Sequence, residues 1–268
     1  MAKAGEQVAS IEHSIEAGIA TIVLNQPGRR NAMKLAMWEE LGSVVREVDA
    51  DPGVKLIILR GSGREAFSAG ADISEFEEKR STPAKAFEWD RRTDEALKSL
   101  VFASKPSIAM IYGACVGGGC EMALTCDLRI ASEDSYYGVP AARLGISVNA
   151  EIIKWLVDIV GPANAKYILF TGNNRIPASR ALAMGLVNEV VSADQVESRT
   201  HELANEIMRG APLAVSWAKR SIEVILRDPD LSTWPERDEQ AAELFGTDDF
   251  KEGAAAFLEK RQPRFTGH

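Results

Sequence analysis

Short β-branched runs, each bounded by turn residues and separated by helical patterns, constrain this chain more than any other feature. GIATIVLNQPG (18–28), VKLIILRGSG (54–63) and KPSIAMIYG (105–113) read as strands, and LRIASED (128–134) and LVNEVVS (186–192) as weaker ones. Between the first two lies KLAMWEELGSVVREVDAD, in which Leu35, Trp38, Leu41, Val45 and Val48 recur at three- and four-residue spacing and share one helical face. Asp51-Pro52-Gly53 stops that helix. Strands alternating with helices predict an α/β core with mostly parallel strands. After residue 193 the pattern changes. ADQVESRTHELANEIMRG, PLAVSWAKRSIEVILRD, STWPERDEQAAELFG and DDFKEGAAAFLEKR all read as helices, with no strand among them. Such a run cannot bury all its apolar faces alone, so it must pack on the core or on other subunits. The expected division is a core over 1–195 and a helical oligomerisation region over 196–268.

The formal net charge of -8 disfavours nucleic acid and anionic membranes as partners. Cys115, Cys120 and Cys126 are odd in number and lack C-x-x-C spacing, which argues against a disulfide framework or a zinc site and for buried thiols in a reducing cytoplasm. MAKAGEQVAS lacks the apolar core of a signal peptide, and no window approaches the ~18 apolar residues of a membrane span. The expectation is a soluble, cytoplasmic protein without a metal. His13, His201 and His268 stand outside every site-like segment, so histidine chemistry is not expected.

Between the strand KPSIAMIYG and the apolar helical stretch CEMALTCD stand Gly117, Gly118 and Gly119. The first N–H groups of a helix have no intrahelical acceptor, and removing Cβ atoms lets a ligand oxygen reach them. The competing reading is a tight turn with close helix–strand packing. Neither a phosphate loop nor a dinucleotide fingerprint fits, because no Lys-Ser or Lys-Thr follows and the G-x-G-x-x-G spacing is absent. A second small-residue elbow, Ser68-Ala69-Gly70-Ala71, follows another buried strand. Two elbows each offering one N–H to the same oxygen form an oxyanion hole for a thioester enolate or similar anion.

With these segments in view the chain resembles the crotonase (enoyl-CoA hydratase/isomerase) superfamily over nearly its full length. The resemblance is carried by NQPGRRNAM (25–33), AFSAGADISEF (66–76), KPSIAMIYGACVGGGCEMALTCDLRIAS (105–132), YGVPAARLGI (137–146), TGNNRIPASRALAMGLVNEVV (171–191) and FLEKRQPRFTG (257–267). It implies a ββα spiral core, a C-terminal helical trimerisation region, a homotrimer or dimer of trimers, and an acyl-CoA ligand. It implies no cofactor beyond the coenzyme A of the substrate. By position the oxyanion-hole donors are the N–H groups of Ala71 and Gly118. The substrate surface falls to Ala69, Gly70, Asp72 and Ile73 in one segment, and to Gly117, Pro140, Ala141 and Leu144 in two others. Arg29 and Arg30 are the candidates for the nucleotide phosphates, and Lys260 and Arg261 are the candidates to reach a neighbouring subunit's ligand.

Family members that hydrate enoyl-CoA use two glutamates. The first corresponds to Glu121, for which the competing role is charge complementarity at a helix N-terminus. The second follows a proline in the family's pattern, and here the segment is Tyr137-Gly138-Val139-Pro140-Ala141. Alanine neither donates nor accepts a side-chain proton. Nearby substitutes are Glu151, Asn149 and Arg143. If NAEIIKWLVDIVG is a helix, Asn149 is near its N-cap and Glu151 in its first turn, facing the site or merely complementing the dipole. The resemblance therefore implies a lyase of the enoyl-CoA hydratase type in fatty acid metabolism. The alternatives are a Δ3-Δ2 enoyl-CoA isomerase, another one-carboxylate reaction, or a non-catalytic acyl-CoA carrier or sensor. Acyl-chain selection falls to segments such as 74–100 and 228–250.

Overall fold

A computed structural model describes residues 9–268. Most of the N-terminal stretch read above for a signal core lies outside the described residues. The large sheet has the order β1 (Ser10–Glu16), β2 (Ile19–Asn25), β3 (Leu56–Gly61), β5 (Ser107–Ile111), β7 (Leu128–Ser132) and β10 (Glu189–Val191). All its pairings are parallel except the β1–β2 hairpin. A small sheet runs β4 (Ala66–Ser68), β6 (Ala114–Val116), β8 (Tyr136–Gly138) and β9 (Ile176–Pro177), parallel from β4 to β8.

The two sheets are linked by a repeated step. A large-sheet strand is followed by a small-sheet strand and then by a helix. Thus β3 leads to β4, then α2 (Phe76–Lys79) and α3 (Pro83–Phe102); β5 leads to β6 and α4 (Gly118–Thr125); and β7 leads to β8, then α5 (Ala141–Leu144) and α6 (Ala150–Thr171). This is the ββα spiral that the sequence resemblance implies. The carboxyl ends of β4, β6 and β8 each run into a loop that opens a helix, so three loops meet along one edge of the small sheet.

β3 is buried on both faces, as its continuous apolar run demands. Ile57 and Leu59 join the core formed by α1 (Leu35–Ala50) and α3, through Met37, Leu41, Val45, Leu97 and Leu100. Leu56 and Ile58 face the other way, into a second cluster with Ile108, Met110 and Ile130. α7 (Ala178–Ala183) follows β9. The second cluster is closed by Val196 and Ala204 of α8 (Val196–Met208), so the first C-terminal helix belongs to the sheet core. The chain ends in α9 (Pro212–Arg227), α10 (Arg237–Glu243) and α11 (Asp248–Glu259). α9 is tied to the core by Lys219, whose ammonium donates to Asp127 Oδ2 at 2.9 Å and to the Lys105 carbonyl at 3.0 Å. Exposed apolar side chains remain on these helices, among them Ile222, Ile225, Leu226, Phe257 and Leu258. No described helix is long and apolar enough to cross a membrane.

Candidate active site

The loop after β4 is pinned by the segment that precedes α1. Ala69 N–H donates to the Arg30 carbonyl (2.9 Å), Met33 N–H to the Gly70 carbonyl (2.7 Å), and Asp72 N–H to the Met33 carbonyl (2.9 Å). Gly70 N–H is taken by Ser68 Oγ at 3.1 Å. Among the described residues the Ala71 N–H makes no hydrogen bond. After β6, Gly117 takes φ 57° and ψ −128°, a conformation that a side chain would strain. Its N–H goes to the Gly138 carbonyl at 2.8 Å, and Gly118 begins α4 with its N–H free among the described residues.

The two loops touch. A Cβ built on Gly70 (φ 88°) would stand 2.8 Å from the Gly118 nitrogen, and one built on Gly118 would stand 3.5 Å from the Ala71 nitrogen. Only glycine allows this approach, and it brings two unused N–H groups side by side. Ala71 and Gly118 both line a cavity of about 490 Å³.

Glu121, in the first turn of α4, also lines the cavity. Among the described residues no group hydrogen-bonds its carboxyl. Burial, and then the charge of Asp94, push its pKa up to about 7, against the pull of Arg80. A carboxyl that holds its proton at neutral pH can act as an acid as well as a base.

Two further carboxylates come from α3. Asp90 and Asp94, one helical turn apart, share the face that lines the cavity, on a helix anchored by buried Trp89, Leu97 and Leu100. Asp90 is held by Arg80 at 2.7 Å, and Arg80 lies over the rings of Phe76 and Trp89. Asp94 accepts from the amide of Asn149, and burial raises its pKa above the ordinary carboxylate value. Trp38 of α1 lines the same cavity, and its indole N–H is buried without a partner among the described residues. α4 is fixed from behind by buried Arg129, which donates to the carbonyls of Cys126 (2.7 Å), Ala123 (3.3 Å) and Leu186 (2.9 Å).

The structure gathers Ala69, Ala71, Ile73, Gly117, Gly118 and Glu121 around the cavity, with Pro140, Ala141 and Leu144 from the third loop. Gly70 is buried and off this lining, shaping the loop from behind with φ 88°. Four other expected residues also lie off the lining of this chain's own cavity. Asp72 is buried and spent on structure, accepting from Ser74 Oγ (2.7 Å), Gln26 Nε2 (3.3 Å) and Arg29 Nη1 (3.3 Å), while the rest of the Arg29 side chain stays exposed. Lys260 sits at the exposed C-cap of α11, away from the cavity lining. Glu151, a catalytic candidate in the sequence, does not line this cavity. It pairs with Lys98 at 2.7 Å and lines a separate cavity of about 440 Å³, as the second residue of α6, with its N–H capped by the Asn149 carboxamide. Arg30, Arg143 and Arg175 are the guanidinium groups that line the site besides Arg80. Asp90, Asp94 and Arg80 were not read from the sequence; the acidic spacing D-x-x-x-D on one face of 83–102 is the signal that carries the carboxylates. Among the described residues no group of three or more His, Cys, Asp or Glu is arranged to hold a metal ion.

The enoyl-CoA hydratase/isomerase family model matches residues 14–268. The chain belongs to that family. It is 35% identical over 247 residues to the short-chain-enoyl-CoA hydratase of Clostridium acetobutylicum, covering 92% of this chain and 94% of that one. It is likewise 35% identical over 251 residues to the crotonyl-CoA hydratase of Syntrophomonas wolfei, covering 93% and 95%. Among solved structures, the enoyl-CoA hydratase/carnithine racemase of Magnetospirillum magneticum superposes with a TM-score of 0.92 at 36% identity, covering 96% of each chain. An enoyl-CoA hydratase/isomerase family protein of Hyphomonas neptunium superposes with the same TM-score at 39% identity, covering 96% and 98%. The ββα core is therefore the crotonase fold.

Proposed function

We propose that the protein is an enoyl-CoA hydratase, adding water across the Cα=Cβ bond of an acyl-CoA thioester. One observation carries the reading: an unpartnered carboxyl, Glu121, shares a cavity with two unused N–H groups, those of Ala71 and Gly118. The thioester oxygen accepts from both N–H groups. A carboxylate takes a proton from water as the water oxygen bonds to Cβ, and the π pair moves through Cα toward the thioester oxygen. The enolate charge is stabilised where the donors already stand. A carboxylic acid then protonates Cα, so the sum is one water added. This chemistry asks for no cofactor beyond the coenzyme A of the substrate.

Arg30, Arg143 and Arg175 provide cations near the site for phosphate groups. The names of the relatives above support a short acyl chain. Exposed Ile222, Ile225 and Leu226 on α9, with Phe257 and Leu258 on α11, support a homotrimer or dimer of trimers. The buried, unbridged cysteines fit a reducing compartment such as the cytoplasm, and enoyl thioesters fit a place in fatty acid metabolism.

Ala141 favours a second reading. Its buried methyl group occupies the third loop where a hydratase of this family places an acid. Moving a proton from C2 to C4, as in Δ3-Δ2 isomerisation, needs Glu121 alone. Incubation of crotonyl-CoA and of a 3-enoyl-CoA in heavy-oxygen water, followed by mass spectrometry, tests the choice. Hydration puts labelled oxygen into a 3-hydroxyacyl product; double-bond migration without label would replace hydration by isomerisation.

A further inference from the structure

We propose that Asp94, on α3, supplies the second acid–base carboxylate of the site, working with Glu121 in place of the group that Ala141 lacks. The proposal rests on the hydration reading above and names a residue for it.

Three carboxylates line the cavity, and their partners separate them. Asp90 is held in an ion pair with Arg80, itself largely buried. Asp94 takes part in no ion pair among the described residues. The neighbouring cation on its helix, Lys98, is drawn away to Glu151 at 2.7 Å. What holds Asp94 is Asn149. The Asn149 carbonyl oxygen caps α6 by accepting from the Glu151 N–H at 2.9 Å, so its NH₂ end is the one turned to Asp94. Asp94 Oδ2 is then an acceptor, which suits the ionised carboxylate, and Oδ1 makes no hydrogen bond among the described residues. That oxygen is free for a water.

The charges facing Asp94 are Glu121 from α4, Glu151 from α6, and Asp90 and Lys98 on its own helix, while Arg80 beyond α2 acts on Glu121 and pairs with Asp90. Glu39 of α1 is occupied by Arg92 of α3. The Asp94 charge is the leading electrostatic reason that Glu121 keeps its proton. The two groups thereby sort into one base and one acid. Asp94 takes a proton from water as the oxygen bonds to Cβ; Glu121 gives its proton to Cα as the enolate collapses. Exchange with bulk water then returns the proton from Asp94 to Glu121, and the site is reset.

Asp94→Asn keeps the shape and removes the base. With the wild type hydrating crotonyl-CoA, kcat of the variant should fall by about 10²–10⁴ while the Kd for the saturated analogue butyryl-CoA, read by calorimetry, stays within about threefold. The low-pH limb of the wild-type rate profile should disappear with the carboxylate, and Asp94→Glu should recover part of the rate. Asp94→Ser, read beside its thermal midpoint, removes the carboxyl with a different shape and should lose as much. A folded Asp94→Asn that hydrates within about threefold of wild type, beside an inactive Glu121→Gln, would overturn the role of Asp94 and leave hydration standing. A wild type that adds no water to any short- or medium-chain enoyl-CoA would overturn the hydration reading and this assignment together.

Discussion

The site has two halves made of different material. The loops after β4 and β6 contribute backbone N–H groups, and their positions follow from glycine conformations and hydrogen bonds between neighbouring loops. The acid–base half is made of side chains: Glu121 on α4, and Asp90 and Asp94 on α3. The backbone half is rigid, uncharged and indifferent to pH. The side-chain half depends on how α3 packs beside α4, on which carboxylate Arg80 and Lys98 neutralise, and on burial. For the proposed reaction, the comparison teaches that the anion-stabilising donors would be built into the turns of the small sheet, whereas the proton chemistry would fall to whichever helix borders the cavity.

Removing the acid should give the largest effect. Glu121→Gln should lower kcat for hydration by about 10²–10⁴, measured under saturating crotonyl-CoA. The same variant should be the more stable protein above neutrality. The folded state holds the Glu121 proton up to about 7, against an ordinary carboxyl when unfolded. Its contribution to stability is thus favourable at low pH and is lost as pH rises toward 7. Glutamine carries no such penalty. The variant's advantage should reach up to about 3 kcal/mol near pH 8 and vanish below about pH 4, by denaturant titration. Full activity in Glu121→Gln would place the chemistry on the α3 carboxylates alone.

Gly118→Ala attacks the other half. Its Cβ would stand 2.9 Å from Cζ2 of buried Trp38 and 3.5 Å from the Ala71 nitrogen, so ring and loop must shift where the proposed reaction holds the thioester oxygen. Turnover should fall by about 10²–10³, with weaker butyryl-CoA binding. Unchanged turnover in a folded variant would reduce the glycine loops to packing devices. The smallest effect is expected at Glu151. Its pair with Lys98 is partly exposed, so Glu151→Gln should cost under about 1 kcal/mol of stability and leave kcat within about twofold. Loss of activity there that persists when Lys98, the cation Glu151 holds away from Asp94, is also replaced by Met would move the second carboxylate from Asp94 to Glu151.

The same division decided what the sequence made legible. VKLIILRGSG and KPSIAMIYG became β3 and β5, and the glycine triplet became the opening of α4. NAEIIKWLVDIVG formed a helix that breaks at Gly161, where φ is 74°. These are local features, set by β-branched runs and by residues that allow unusual backbone angles. The small-sheet strands are two or three residues long, too short to show a period. α3 was not read as an element, because its buried residues are few between charged ones. Asp90 and Asp94 meet Glu121 only through the packing of α3 on α4, a tertiary fact that spacing cannot express. Asp72 and Arg29 stand in the matching segments, and spacing could not show that they pair with each other.

The pH dependence of kcat/KM for crotonyl-CoA hydration tests the division of proton work most directly. With Asp94 as the base and protonated Glu121 as the acid, the rate should fall as pH rises through about 7, where Glu121 loses its proton. It should fall again at low pH as Asp94, whose pKa burial raises from its ordinary value, takes one up. A rate that rises through pH 7, or that stays flat across it, would contradict Glu121 as the acid of the pair.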